Sequence, residues 1–325
     1  MNKNKTVYTR EDFTNQTEVR WCPGCGDYAI LAAMQRVLPE LGLAPEQHVF
    51  ISGIGCAGRF PYYMNTYGFH TIHGRATSIA TGLQATRDDL CVWVITGDGD
   101  ALSIGGNHFI HTLRRNVNLK ILLFNNQVYG LTKGQFSPTS QQGQVTKTSP
   151  QGVTQQPVNP ILLALGAGAS FVARAVDKDP AHLGSLIKAA YEHPGCAFIE
   201  IYQDCNIFNH GAFDGFSLKN NRKEHTVLLE QGMPLLFGED KSQGLVLKED
   251  KLERGSREEA ETYRHDGFNL LAAMRLAQLA YPDDPVPLGV YYQAPREIFH
   301  LPVAYHKTVD DLPALYRARA SWQVS

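Results

Sequence analysis

Two continuous apolar runs restrict what this chain can fold into more than any other feature. Leu90 to Thr96 reads LCVWVIT, and Leu119 to Asn125 reads LKILLFN. Neither alternates polar with apolar residues, so each reads as a strand buried on both faces of a sheet. Between them, Ile104 to Arg115 has the pattern of a helix. The alternation continues outward in both directions. Ile30, Leu31, Met34, Val37, Leu38 and Leu41 recur at helical spacing from Asp27 to Leu41. His48 to Ile54 is a short apolar run ending in a glycine-rich turn, which predicts a strand, and Gly74 to Arg87 predicts a helix of small residues. Further on, Ser170 to Ala175 and Cys196 to Tyr202 predict strands on either side of a helix from Asp179 to Glu192. Asp179 suits the N-cap of that helix, with Pro180 at its first position. This strand–helix order predicts an α/β fold with a mostly parallel sheet flanked by helices. Active groups should then sit on the loops after the strands' carboxyl ends.

Three regions fall outside the pattern. Residues 1–20 are polar and are expected to form an arm that docks on something else. Gln127 to Pro157 is a long loop rich in Gln, Ser, Thr and Gly, and loops of that length in compact domains usually carry function. From residue 206 the chain becomes charged and irregular, with mixed-sign clusters from Glu239 to Arg264. The expected division is therefore an arm (1–20), an α/β domain (21–205) and an irregular C-terminal extension (206–325) that contacts a partner.

Composition removes several classes. The apolar share of 43% and charged share of 19% belong to a core-forming globular chain. A net charge of −2 gives no reason to expect nucleic acid or an anionic membrane as partner. Ile161 to Val172, the longest apolar candidate, is too short to span a bilayer and reads as a buried helix turning into a strand. The polar start lacks an apolar signal segment, so a cytoplasmic location is expected. Six cysteines in such a setting are read as metal, redox or packing residues rather than a disulfide frame.

Chemistry is concentrated at the strand ends. Gly97-Asp98-Gly99-Asp100 closes the first buried run, and 25 residues separate Gly99 from Asn125-Asn126, which closes the second. A βαβ step would bring these ends together and aim a carboxylate and an amide oxygen at one point. Hard oxygen ligands in that number suit Mg²⁺, whose other positions hold water or phosphate. Gly99 would let backbone N–H groups approach a pyrophosphate, with the following helix offering its positive end, and Gly130 would act similarly. Gly-Asp-Gly alone is an ordinary turn. Together with Asn-Asn at this spacing it resembles thiamine-diphosphate enzymes.

The cysteines form a second constellation. Trp21-Cys22-Pro23-Gly24-Cys25-Gly26 contains a CxxC, Cys56 sits in Gly55-Cys56-Ala57-Gly58, and Cys205 in Asp204-Cys205-Asn206. Four thiolates suit a [4Fe–4S] cluster. Structural zinc is also compatible with four cysteines, though it usually takes paired CxxC motifs. A thioredoxin-like motif lacks the apolar strand it needs before Trp21. Oxidising a thiamine adduct needs somewhere to put electrons, which favours the cluster. Cys91 and Cys196 lie within predicted strands and read as core residues. His73, in Thr71-Ile72-His73-Gly74-Arg75, stands at a third strand end, where it could meet a diphosphate or simply cap the next helix. Arg59, and Lys133 in Gly130-Leu131-Thr132-Lys133-Gly134-Gln135, could pair with a substrate carboxylate or merely face solvent.

The runs WCPGCGDYAIL, SGIGCAGRFPYYMNTYGFHTIHGRA, TGDGDALSIGGNHFIHTLRRN and NNQVYGLTKGQFSPTS together resemble the beta subunits of 2-oxoacid:ferredoxin oxidoreductases, over roughly residues 18–210. NTYGFHTIHGRA with GLTKGQ resembles the 2-oxoglutarate branch. The resemblance implies that Cys22, Cys25, Cys56 and Cys205 hold one [4Fe–4S] cluster. Asp98, Asn126 and the Val128 carbonyl would hold Mg²⁺. His73, Gly74, Gly99, Asp100, Gly130, Leu131 and Thr132 would line the cofactor, and Arg59 and Lys133 would read the 2-oxoacid. It further implies oxidative decarboxylation with coenzyme A to an acyl-CoA, with electrons passing to ferredoxin, and the reverse carboxylation at low potential. The chain shows one thiamine-type domain, so the activating glutamate should come from an alpha subunit, in a dimer of alpha–beta heterodimers. Pyruvate and other 2-oxoacids stay open as substrates. So does a non-redox thiamine decarboxylase subunit with structural zinc.

Overall fold

The structure is a computed structural model that describes residues 7–300. The apolar runs form strands in the expected places: β1 (His48–Ser52), β2 (Tyr67–His70), β3 (Cys91–Gly97), β4 (Lys120–Asn125), β5 (Phe171–Val176) and β6 (Ala197–Tyr202). These six pair in parallel in the order β2-β1-β3-β4-β6-β5. Side chains alternate between sheet faces, and each face has its own core. Phe50, Trp93, Ile95, Leu122, Phe124 and Ile199 pack beneath helix α1 (Asp27–Leu41) and a later helix, Pro180–Glu192. Val49, Ile51, Val94, Ile121, Leu123 and Phe198 meet α2 (Ala76–Thr86) and residues of the helices Gly106–Arg115 and Pro160–Gly166. Both faces are covered, which is why the central strands carry no polar alternation.

Helix ends follow local chemistry. Asp179 caps its helix by accepting from the His182 N–H at 3.2 Å, with Pro180 in the first turn, as its sequence predicts. The Gly97–Asp100 turn opens a short helix that the apolar pattern does not announce, α3 (Asp98–Leu102). Then follow α4 (Gly106–Arg115), α5 (Pro160–Gly166) and α6 (Pro180–Glu192).

Two of the expected boundaries are corrected. The described part of the N-terminal arm packs on the chain's own body: Phe13 is fully buried against Tyr8 and His48, and Asn15 donates to the carbonyls of Tyr62 and Met64. An apolar residue at Phe13 is what the polar reading of 1–20 overlooks. The C-terminal extension is not a separate wrap. It continues through β7 (Thr226–Leu229), β8 (Leu236–Phe237), β9 (Gln243–Lys248), β10 (Lys251–Ser256) and β11 (Val286–Gln293). β11 pairs antiparallel with β5 and parallel with β7, so the extension completes an eight-stranded sheet. β8, β9 and β10 make a second, three-stranded antiparallel sheet. The mixed-sign charges of this region lie largely on exposed positions of that small sheet and its loops, which masks the strands from a reading by composition. Residues 301–325 lie outside the described part.

Candidate active site

The carboxyl ends of β1, β3, β4 and β6 surround a cavity. Register explains the convergence. β3 and β4 are neighbours with Gly97 beside Phe124, and both chains leave the sheet at the same level, so Asp98 and Asn126 line the same cavity together with Val128. The carboxylate of Asp98 is buried. Its Oδ2 accepts from the Ser137 and Thr139 hydroxyls at 2.5 and 2.6 Å. Burial pushes this carboxyl above its ordinary range, and the two hydroxyls oppose that shift. Thr139 Oγ1 also lies 2.9 Å from Asn125 Oδ1, its one proton shared between the two acceptors, which ties the two strand ends together. Asn126 has a defined orientation: its Oδ1 accepts the Val128 N–H at 3.2 Å and its Nδ2 donates to Gln203 Oε1 at 2.9 Å.

The other expected cofactor residues gather here with altered roles. His73, Gly99, Asp100, Gly130, Leu131 and Thr132 all line the cavity. Asp100, however, turns its oxygens into the protein. It accepts from Ile54 N–H at 3.1 Å, Gly74 N–H at 2.8 Å and Thr96 Oγ1 at 2.8 Å, so it staples three strand-end loops together. A carboxylate spent in this way holds the strand ends in place. Gly74, at φ 64°, carries that staple beside His73. Gly99 has to be glycine because a Cβ would stand 2.2 Å from the Tyr129 ring, whose hydroxyl donates to the Gly99 carbonyl at 3.1 Å. A Cβ on Gly130 would face Cys56 Sγ at 3.5 Å and Cys205 Sγ at 3.6 Å, so this residue, which lines the cavity together with Cys56, lies against two of the sulfurs.

Cys22, Cys25, Cys56 and Cys205 come from three distant segments to one place. Cys25 N–H bonds the Cys22 carbonyl at 3.0 Å, closing the CxxC turn. Gly26 N–H bonds the Asp204 carbonyl at 3.1 Å, docking that turn on the Cys205 loop. Trp21 Nε1 donates to the Cys56 carbonyl at 2.7 Å. Burial, then Asp27, raises the Cys25 thiol, which also feels Cys56 and Cys205. Burial likewise pushes Cys56 up to about 12, with Asp27, Cys205 and Cys22 adding to it. Thiols so placed become thiolates only with a cation to face. Among the described residues, no three His, Cys, Asp or Glu side chains converge on a position for one metal ion.

The two candidate substrate cations are placed differently. Arg59 lines an adjoining cavity that shares Ile54, Gly55 and Leu131 with the first. Lys133 lines neither; it is exposed at φ 76° on the turn that carries Leu131 and Thr132. Sequence reasoning missed Ser137, Thr139, Gln203 and Asp27. Asp27 is buried against the cavity with neither carboxylate oxygen partnered, and burial, then Asp177, pushes it up to about 7. The length of the polar loop was the only signal for the two hydroxyls; nothing local marked Gln203.

A buried carboxylate and a half-buried carboxamide on adjacent parallel strand ends, with a cavity beyond them, are the arrangement expected of a thiamine-diphosphate-binding domain. Residues 53–201 match the C-terminal TPP-binding domain of thiamine pyrophosphate enzymes. The chain is 60% identical over 228 residues to 2-oxoglutarate oxidoreductase subunit KorB of Mycobacterium tuberculosis, covering 70% of this chain and 61% of the relative. It is 40% identical over 194 residues to 2-oxoglutarate synthase subunit KorB of Methanocaldococcus jannaschii, covering 60% of this chain and 72% of the relative. A solved structure of 2-oxoglutarate:ferredoxin oxidoreductase from Magnetococcus marinus, with 2-oxoglutarate, coenzyme A and succinyl-CoA bound, superposes with a TM-score of 0.76 at 34% identity, over 98% of each chain. The chain therefore belongs to the beta subunits of the 2-oxoacid:ferredoxin oxidoreductase family. Its matched part spans 61%, 59% and 63% of the length of three curated relatives. No helix among the described residues is long and apolar enough to cross a membrane.

Proposed function

We propose that this chain is the cofactor-bearing half of an enzyme that oxidatively decarboxylates a 2-oxoacid, 2-oxoglutarate first among them, with coenzyme A as acyl acceptor and ferredoxin as electron acceptor. The observation that carries the reading is the shared wall between the two cofactor regions: Gly130 lines the cavity and faces the sulfurs of Cys56 and Cys205. Bound there, thiamine diphosphate supplies the electron sink for decarboxylation, and a [4Fe–4S] cluster supplies the exit for electrons. Asp98, Asn126 and the Val128 carbonyl are the Mg²⁺ ligands, with Ser137 and Thr139 fixing Asp98. His73 and the backbone of residues 99 and 130–132 meet the diphosphate. Cys22, Cys25, Cys56 and Cys205 hold the cluster. Arg59, in the adjoining cavity, pairs with a substrate carboxylate, and Lys133, exposed on the turn of Leu131 and Thr132 outside both cavities, is the second cation proposed for a dicarboxylate such as 2-oxoglutarate.

The carboxylate that activates the aminopyrimidine is assigned to an alpha subunit, because thiamine enzymes bind the two ends of the cofactor on separate domains and this chain supplies one. The working enzyme is then a dimer of alpha–beta heterodimers in the cytoplasm, reversible when its electron acceptor is reduced enough. The test is anaerobic co-expression with an alpha subunit. Coenzyme A-dependent ferredoxin reduction is followed with 2-oxoglutarate and pyruvate side by side. Activity on 2-oxoglutarate with iron and thiamine in the protein is expected. A colourless, iron-free protein that decarboxylates without reducing ferredoxin would replace this reading with a zinc-bearing decarboxylase.

A further inference from the structure

One side chain spans the gap between the two cofactor regions. Gln203 directly follows β6 and is buried. Its backbone N–H donates to the Asn125 carbonyl at 2.9 Å, which locks the chain there to the end of β4. Its amide makes three bonds. Oε1 accepts from Asn126 Nδ2 at 2.9 Å, while Nε2 donates to the Asp204 carbonyl at 2.6 Å and to Cys25 Sγ at 3.2 Å. The amide orientation is fixed by its surroundings. Val128 N–H occupies Asn126 Oδ1, so Asn126 must present its NH₂ to Gln203, and Gln203 must answer with its oxygen. The Gln203 NH₂ is then left for the carbonyl and the sulfur.

We infer that Gln203 is a positioning residue for both centres at once: it turns Asn126 toward the divalent ion, and it donates an N–H to the Cys25 sulfur of the cluster. The inference rests on the cofactor assignment above. Both halves have a physical basis. A ligand's outer hydrogen-bond partner sets its orientation, and losing such a partner typically weakens metal binding about 10- to 100-fold. An N–H donated to a cluster thiolate stabilises the more electron-rich, reduced cluster, and such bonds are among the determinants of cluster potential. One glutamine therefore couples how tightly the cofactor is gripped to how readily the adjacent cluster takes its electron. The backbone anchor on Asn125 means that neither bond can be adjusted independently by local movement.

Two substitutions separate the halves. Gln203→Met keeps the length of the side chain and removes both donor and acceptor. Gln203→Glu keeps an oxygen for Asn126 and loses the N–H to sulfur. The measurements are made on the anaerobic holo-complex with its alpha subunit: iron and thiamine content, the cluster midpoint by redox-mediated titration with electron paramagnetic resonance, and the affinity for thiamine diphosphate with Mg²⁺. Gln203→Met should lower the midpoint by about tenfold in the reduction equilibrium, roughly 59 mV for one electron. It should also weaken the thiamine affinity about tenfold. Gln203→Glu should lower the midpoint while keeping affinity within about threefold of the wild type, an arm that a merely structural glutamine would not reproduce. An unchanged midpoint in both variants, or an unchanged affinity in Gln203→Met, overturns the inference. A wild-type complex without iron or thiamine overturns the cofactor assignment itself, and is read before either variant.

Discussion

Lys120 and Asn116 at one end of the sheet and Asp27 at the other bury their polar groups in different ways. At the amino end of β4, Lys120 is almost fully buried and its ammonium donates to Asn118 Oδ1 at 3.0 Å, the His193 carbonyl at 2.6 Å and the Gly195 carbonyl at 3.0 Å. Beside it, the Asn116 side chain accepts from Ser170 Oγ and Cys196 N–H and donates to the carbonyls of Arg296 and Glu297. Each group finds its partners within the chain. At the carboxyl end, Asp27 has no hydrogen-bond partner for either oxygen among the described residues, and Asp98 is buried as a carboxyl pushed up from its usual range. An unmatched buried charge is costly, so natural chains keep one chiefly where something else completes it. The contrast teaches where the fold is self-sufficient and where it is built around a guest.

The comparison breaks if substitutions at the two ends act alike. The largest effect should come from Cys56→Ser or Cys205→Ser, which should abolish the cluster's absorbance and iron content in the anaerobic protein while thiamine binding persists. Next, Asp98→Asn should weaken thiamine diphosphate binding about a hundredfold, by loss of a metal ligand's charge, and leave the melting point of the cofactor-free protein nearly unchanged. Lys120→Met should do the reverse. Three acceptors lose a charged donor, so stability should fall by about 2–4 kcal/mol in denaturant titrations, with cofactor affinity intact.

Acid sharpens the same contrast. His48 starts β1 and is wholly buried; its Nδ1 faces Trp93 Nε1 at 3.2 Å and burial lowers it to about 4. Its folded value lies below the unfolded one of about 6.5, so its contribution is present above pH ~6.5 and is lost as pH falls through 4. That is about 3 kcal/mol, and His48→Gln should flatten this part of the stability profile. The smallest effect belongs to Thr139→Val, which removes one of the two hydroxyls on Asp98 and should weaken Mg²⁺-dependent binding about tenfold.

What the sequence disclosed follows the same division. Buried parallel strands have no polar alternation to hide behind, so β3, β4 and β6 were legible from LCVWVIT, LKILLFN and CAFIEIY alone, and with them the meeting of Asp98 and Asn126. Cysteine spacing singled out Cys22, Cys25, Cys56 and Cys205 as a set, because few chemistries need a CxxC with two remote partners. Three features stayed hidden for distinct reasons. β7 is a four-residue strand next to charged sequence, and β11, which it pairs with, finds its other neighbour β5 far away in the chain. Ser137 and Thr139 are ordinary loop residues until the loop folds back over Asp98. Asp100 belonged to the motif but spends its carboxylate on three loops, a role that depends on hydrogen bonds made across the fold.

The central claim is that Asp98 and Asn126 present one carboxylate and one carboxamide to a divalent ion that grips a diphosphate. Calorimetric titration of thiamine diphosphate into the cofactor-free complex, with Mg²⁺ and then with a chelator in its place, tests it most directly. The account predicts tight binding with Mg²⁺, none with the chelator, and a hundredfold loss in Asp98→Asn, about 2.7 kcal/mol. Binding of equal strength in all three cases would contradict it.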